Sequence, residues 1–205
     1  GTVGRAMSGS EIRIDDASGE ILVRSVGQYA GYLNLPEKTA ETVVDGWIHT
    51  GDVGEMDEEG NLRITDRLKD IIITAGGKNV TPSVIENELK FSPYISDAVV
   101  IGDRRKYLTC LIMIDQENVE HYAQTHSVPF TDYRSLCARR EVVALIDGVA
   151  TEVNRGFSSA ESIKKFRLID VLLTAEDDEL TPTMKLKRSF VNEKYSTLIE
   201  SMYGG

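Results

Sequence analysis

Three segments of this 205-residue chain place carboxylates, cations and glycines where they could meet a phosphate-bearing ligand. In Thr50-Gly51-Asp52 a carboxylate follows a glycine directly after an apolar stretch. Two acceptor oxygens exposed at a strand end suit two neighbouring hydroxyls, such as a ribose diol. The same residues also read as an Asp capping a turn, since Asp after Gly is common in loops. The second segment, Asp66-Arg67-Leu68-Lys69-Asp70, sets two cations just before the apolar run Ile71-Ile72-Ile73, and Gly76-Gly77-Lys78 follows it. There the backbone and a lysine could approach a phosphate or another extended ligand closely. The spacing is neither a Walker loop nor a dinucleotide fingerprint, and a surface ion-pair network accounts for Asp66, Arg67, Lys69 and Asp70 equally well. The third segment, Leu180 to Arg188, carries Lys185, Lys187 and Arg188 immediately after Asp177-Asp178-Glu179. Bases that open a helix oppose its dipole, which points to a job beyond local stability, with a solvated charged face as the plain alternative.

Other reactive side chains are less organised. His49, His121 and His126 have no metal-ligand spacing and read as surface or packing residues, so no metal site is expected. Ser158-Ser159 lacks the pattern of a nucleophile elbow.

The elements that must position these segments change character along the chain. Ile12 and Ile14, then Ile21 and Val23, alternate with polar neighbours around Asp15 to Gly19, which predicts a hairpin. Met56 and Leu62-Arg63-Ile64 flank Asp57-Glu58-Glu59-Gly60 and predict a second. Up to Arg67 the pattern is all-β with long connections, one of them Gly27 to Glu41. Thr81-Pro82 then reads as a helix start with Pro at the first helical position. Ala98 to Ile101 and Leu108 to Ile114 read as paired strands. Val142, Leu145, Ile146, Val149 and Val153 form one helical face. Leu168 to Leu173 reads as another strand, and Phe190, Val191, Tyr195, Leu198, Ile199 and Met202 as a terminal helix. The expected fold class is α+β: a β-rich part over residues 1–68, then a small α+β domain over 69–205.

Composition limits the partners. The 33 acidic against 23 basic residues give a formal charge of −10, which disfavours binding nucleic acid through bulk electrostatics and obliges any anionic ligand to meet a local cluster of bases. Cys110 and Cys137 stand far apart in apolar settings, so neither a disulfide nor a zinc site is expected and a reducing cytosol fits best. The apolar runs are far shorter than the roughly 20 residues that span a bilayer. Gly1 opens a stretch with neither a basic nor an apolar leader region, so the start reads as a cut inside a longer chain.

Taken together and in order, the three segments resemble the C-terminal third of an adenylate-forming enzyme of the acyl-CoA synthetase and luciferase superfamily, and more closely the long-chain fatty-acid CoA ligases. Gly46 to Asp52 is similar to the family's Thr-Gly-Asp motif, Ile64 to Asp70 to its Asp-Arg hinge motif, and Leu180 to Arg188 to its C-terminal lysine motif; Gly19 to Arg24 and Gly31-Tyr32 also fit. Met184 stands where many members have Gly, and Thr-Pro-Thr-x-Lys favours the long-chain branch.

The resemblance implies roles residue by residue. Asp52, beside Thr50, accepts the ribose hydroxyls of ATP and of the acyl-adenylate, while Arg67 contacts the ribose-phosphate side. Lys69 takes the hinge position between the domains. Gly76, Gly77 and Lys78 line the pantetheine path of CoA, and which glycine faces it stays open. Lys185 reaches the α-phosphate and the attacking carboxylate. Fatty acid and CoA are the implied small-molecule substrates, and residues 69–205 the mobile lid. A missing N-terminal domain is expected to hold the triphosphate, Mg2+ and the acyl chain, which leaves this piece inactive alone. The location implied is cytoplasmic, at most peripheral to the membrane. Two rival readings stand beside this one: another adenylating enzyme, such as an aromatic-acid ligase or a carrier-protein loading enzyme, and a non-catalytic interaction module.

Overall fold

The computed structural model describes residues 1–173, 178, 180, 181 and 186–204, and divides the chain into two compact units, Gly1–Ile71 and Ile72–Gly205. In the first unit β1 (Ser10–Ile14) and β2 (Glu20–Ser25) form the expected hairpin, in register from Ser10 opposite Ser25 to Ile14 opposite Ile21. Asp15 closes the turn by accepting both the N–H and the hydroxyl of Ser18, the two bonds that hold its carboxyl below the ordinary value. The long strand β4 (Trp47–Met56) pairs with β2, with the two-residue β3 (Val43–Val44) and with β5 (Leu62–Arg67), completing the second expected hairpin. A 3-10 turn, Leu68–Asp70, follows β5.

One correction falls in this unit. The connection expected as irregular contains a helix, α1 (Pro36–Thr42), opened by Pro36 with Glu37 in its first turn. None of its residues is buried, so it carries no apolar stripe for periodicity to register.

The second unit is built around two strands, β8 (Ile95–Ile101) and β9 (Leu108–Ile114), which pair antiparallel as expected. Every residue of β9 is buried because helices cover both faces. On one face Cys110, Ile112 and Ile114 pack with Ile85 and Leu89 of α2 (Pro82–Lys90), Val119 of α3 (Gln116–Thr125), Leu136 of α4 (Tyr133–Cys137), and Val142 and Ile146 of α5 (Arg140–Asn154). On the other, Val99, Ile101 and Leu111 pack with Val191 of α6 (Arg188–Lys194) and with Ile199 and Met202 of α7 (Ser196–Tyr203). The side-chain alternation of β8 and β9 thus serves two cores at once, and this is why both strands read as unbroken apolar runs. Pro82 opens α2 as expected, although Thr81 makes no side-chain cap bond. No helix of the described residues is long and apolar enough to cross a membrane.

Two further expectations are corrected here. The strand expected over Leu168 to Leu173 lies earlier, as β10 (Ile163–Leu168), running parallel to β9 at the edge of the sheet. Lys164, Lys165 and Arg167 broke its apolar pattern, and charges of this kind are what an edge strand carries. Of the expected run, Ile169 and Leu173 are buried, while Val171 and Leu172 face out. The single terminal helix is two helices, which bend at Tyr195 with helical bonding kept on either side: Tyr195 N–H to Val191 O at 3.0 Å and Ile199 N–H to Tyr195 O at 2.9 Å.

Preceding this core, β6 (Ile72–Ile73) and β7 (Asn79–Val80) form a short hairpin around Gly76 and Gly77. Ile72 is buried as the apolar run suggested, while Ile73 is half exposed.

Candidate functional site

Thr50, Gly51 and Asp52 lie in β4 where the strand leaves regular pairing with β2. Glu20 pairs with Val53 and Leu22 with His49, so a step of two residues along β2 answers one of four along β4, and residues between them bulge. Gly51 takes φ +71°, a left-handed backbone that costs glycine little. Thr50 Oγ1 donates to the Ile21 carbonyl at 2.7 Å, and the Asp52 N–H donates to Thr50 Oγ1 at 3.1 Å, which ties the bulge to β2.

Asp52 sits opposite Arg67 in the β4–β5 ladder, and Arg67 Nε donates to Asp52 Oδ1 at 3.0 Å. The side chains are 64% exposed for Arg67 and 30% for Asp52. A pair this open contributes about 0–1 kcal/mol to stability. Paired hydroxyls and an adjoining phosphate would find an acceptor and a planar fork of donors side by side. The surface-network reading did not include Asp52, yet it is the partner that holds the Arg67 guanidinium. Asp66 instead accepts the Arg67 N–H at 2.8 Å. Lys69 is exposed on the 3-10 turn that follows β5.

In the second unit the glycine loop has a defined geometry. Thr74 N–H donates to Lys78 O at 3.0 Å, Gly77 N–H donates to Thr74 O at 2.8 Å, and Lys78 N–H donates to Thr74 Oγ1 at 3.2 Å. Gly77 takes φ +76°, so Ala75-Gly76-Gly77 is a three-residue hairpin loop closed by a left-handed residue. Gly76 has no such requirement, and a Cβ built on it comes no nearer than 3.9 Å to Thr74 Oγ1. Lys78 Nζ lies 3.4 Å from Glu161 Oε1. The Ser158 hydroxyl donates to Glu161 at 2.5 Å and, with Lys78 adding to it, holds that carboxyl below its ordinary value.

Beside the loop, Thr74, Gly76, Lys78, Lys106, Tyr107 and Lys164 line a groove of about 550 Å³. Three lysines thus line one groove in a chain of net charge −10, Lys78 among them being paired with Glu161. Among the described residues no group of three or more His, Cys, Asp or Glu side chains is placed to hold a metal ion.

Lys185 lies outside the described residues. The solvated-face reading of its basic neighbours is corrected for Arg188, which pairs with Glu86 at 2.6 Å and also donates to the Val100 carbonyl at 2.6 Å, while Lys187 remains exposed. Burial pushes the Glu86 carboxyl up, and Arg188 opposes that shift. The Leu186 N–H donates to Asp97 Oδ2 at 2.8 Å.

Sequence reasoning missed Glu20, Glu86, Lys106, Glu161 and Lys164. Only Glu20 left a local signal, as a charge beside the apolar run Ile21-Leu22-Val23. His49, read as a surface or packing residue, sits with its Nδ1 2.7 Å from Glu20 Oε2.

Comparison with known proteins shows what the chain as a whole is similar to. The profile of the AMP-binding enzyme C-terminal domain matches residues 69–205. The long-chain-fatty-acid–CoA ligase FadD15 of Mycobacterium tuberculosis is 45% identical over 204 residues, which cover 99% of this chain and 34% of that protein. The long-chain-fatty-acid–CoA ligase ACSBG2 of Gallus gallus is 37% identical over 223 residues, covering 98% of this chain and 29% of that one. Among solved structures, the adenylation domain of a carboxylate reductase from Mycobacterium chelonae matches with a TM-score of 0.72 and 28% identity, over 91% of this chain and 28% of that chain. The chain spans about a third of the length of the curated relatives it matches.

Proposed function

We propose, from the premise that this chain belongs to the AMP-binding enzymes through their C-terminal domain, that it is the C-terminal portion of a long-chain fatty-acid–CoA ligase. In that reaction a fatty-acid carboxylate oxygen attacks the α-phosphorus of ATP and pyrophosphate leaves. The sulfur of CoA then attacks the acyl carbon of the adenylate, and AMP leaves.

Residues 1–68 end the nucleotide-binding domain, and 69–205 form the lid that turns about Lys69 between the two steps. Asp52 accepts the ribose hydroxyls, with Thr50 and Gly51 shaping its strand, and Arg67 takes the ribose-phosphate side. Lys185 acts electrostatically: an ammonium held where two anions meet offsets their repulsion most where charge develops. Gly76, Gly77 and Lys78 border the path of the pantetheine arm, and Lys106 and Lys164 add positive charge beside it. The observation that carries this reading is the Asp52–Arg67 pair, an exposed couple with little stabilising value and the right donors and acceptors for a nucleotide.

The test uses a ligase that contains this chain as its C-terminal third. Lys185→Ala is expected to abolish ATP–pyrophosphate exchange while thioester formation from supplied acyl-adenylate continues near the wild-type rate. Equal loss of both steps would overturn the division of labour.

A further inference from the structure

At the bulge in β4, the Gly51 N–H has lost its place in the ladder and needs another acceptor. Glu20 provides it: Oε1 accepts the Gly51 N–H at 2.8 Å, and Oε2 meets His49 Nδ1 at 2.7 Å. One carboxylate therefore grips the two residues that flank Thr50. Glu20 is only 6% exposed, and a carboxylate so enclosed is tolerated where donors satisfy it. These two ties give the group a reason to be there. The far side of Asp52 is anchored as well, since the Gly54 N–H donates to the Gly19 carbonyl at 3.1 Å.

We propose that Glu20 is a positioning residue for nucleotide recognition, holding residues 49–51 so that Asp52 stands opposite Arg67 with its carboxylate presented to the ribose. The inference rests on the reading of Asp52 as the ribose acceptor. A left-handed glycine in a bulge has many alternative conformations, and a buried acceptor fixed on the neighbouring strand removes most of them. The Thr50 bonds to the Ile21 carbonyl and the Asp52 N–H cannot do this alone, because neither holds the N–H of the Thr50–Gly51 peptide.

In the same ligase, Glu20→Ala, Glu20→Gln and Asp52→Ala are compared by steady-state kinetics, AMP calorimetry and thermal unfolding. A lost charge-assisted bond corresponds to about tenfold or more in affinity. Glu20→Ala is therefore expected to raise the KM for ATP and the Kd for AMP about tenfold, with the KM for CoA unmoved. Glu20→Gln keeps an acceptor for the Gly51 N–H but lacks the charge, and falls between Ala and wild type. If the Glu20→Ala protein does not fold, Glu20→Gln decides by the same pattern at several-fold. Unchanged ATP and AMP constants in the Glu20 variants, with nucleotide binding lost in Asp52→Ala, overturn the inference and leave the nucleotide reading intact. A parallel rise in the CoA and ATP constants marks a merely structural role and also overturns it. Undiminished AMP binding in Asp52→Ala overturns the reading of Asp52 and the inference together.

Discussion

Gly77 and Gly76 stand side by side, yet the backbone treats them differently. At φ +76° a Cβ on Gly77 meets its own carbonyl, and the left-handed conformation costs a non-glycine residue about 1–2 kcal/mol. Gly77→Ala is expected to lower stability by about that amount, read as a shift in urea midpoint with unchanged slope. Gly76→Ala meets only an ordinary contact, so its stability should match wild type. A larger side chain at Gly76 then becomes a clean probe of the pantetheine path. Gly76→Leu should slow thioester formation from supplied acyl-adenylate while leaving pyrophosphate exchange and the urea midpoint in place. Slowed exchange, or an untouched thioester step, would show that Gly76 does not face that path.

Between elements, a largely buried polar contact joins α6 to α2 and β8. Glu86 takes the Arg188 guanidinium and also accepts the Val100 N–H at 2.7 Å, so it ties a helix, a strand and the start of α6 together. Removing one partner leaves a charge in a nearly dry site. Arg188→Met is expected to cost about 2–4 kcal/mol in chemical denaturation. Replacing both, as Glu86→Leu with Arg188→Met, should cost clearly less than the two single changes added together. A double-mutant cycle that closes with no coupling would dismiss the pair as a stabilising unit. Lys187→Met, one residue earlier but exposed, should change stability by less than about 0.5 kcal/mol.

At the level of the whole molecule, both faces of β8 and β9 are covered by helices of the same unit, so residues 72–205 should unfold cooperatively when expressed alone. The buried core also sets the response to alkali. Burial pushes the Cys137 thiol up to about 12, raises the Cys110 thiol well above its ordinary value, and raises the Tyr133 hydroxyl too. The folded chain therefore keeps protons that the unfolded chain releases from about pH 8.5 for thiols and about 10 for tyrosine. The stabilisation is complete below that range and is lost as pH rises through it toward the folded values. Urea midpoints should accordingly fall between pH 8 and 10.5. Ellman's reagent at pH 8 should find no reactive thiol in the native protein and two after unfolding. A flat midpoint or ready native labelling would contradict this burial.

Local chemistry determined much of this protein, and folding in three dimensions decided the rest. Alternating Ile12, Ile14, Ile21 and Val23 predicted the first hairpin, the apolar runs Ala98 to Ile101 and Leu108 to Ile114 the paired strands β8 and β9 of the second unit, and Thr81-Pro82 the start of α2, because each signal acts over a few residues of backbone. The ordered Thr-Gly-Asp, Asp-Arg and lysine segments carried the family resemblance, which the profile over residues 69–205 and the ligase relatives bear out. No local signal could assign Glu20 to Gly51, 31 residues away, since that contact exists only once a register shift between β2 and β4 frees an amide. Arg188 likewise looked like one base in a solvated stripe until the packing of α6 brought it to Glu86, 102 residues earlier. Strand β10 escaped notice because its lysines suit an edge, and edge position is a property of the sheet rather than of the strand. Periodicity along a chain reports which face of an element is apolar; the partner of each polar group depends on register, bulges and layer order, which tertiary packing alone decides.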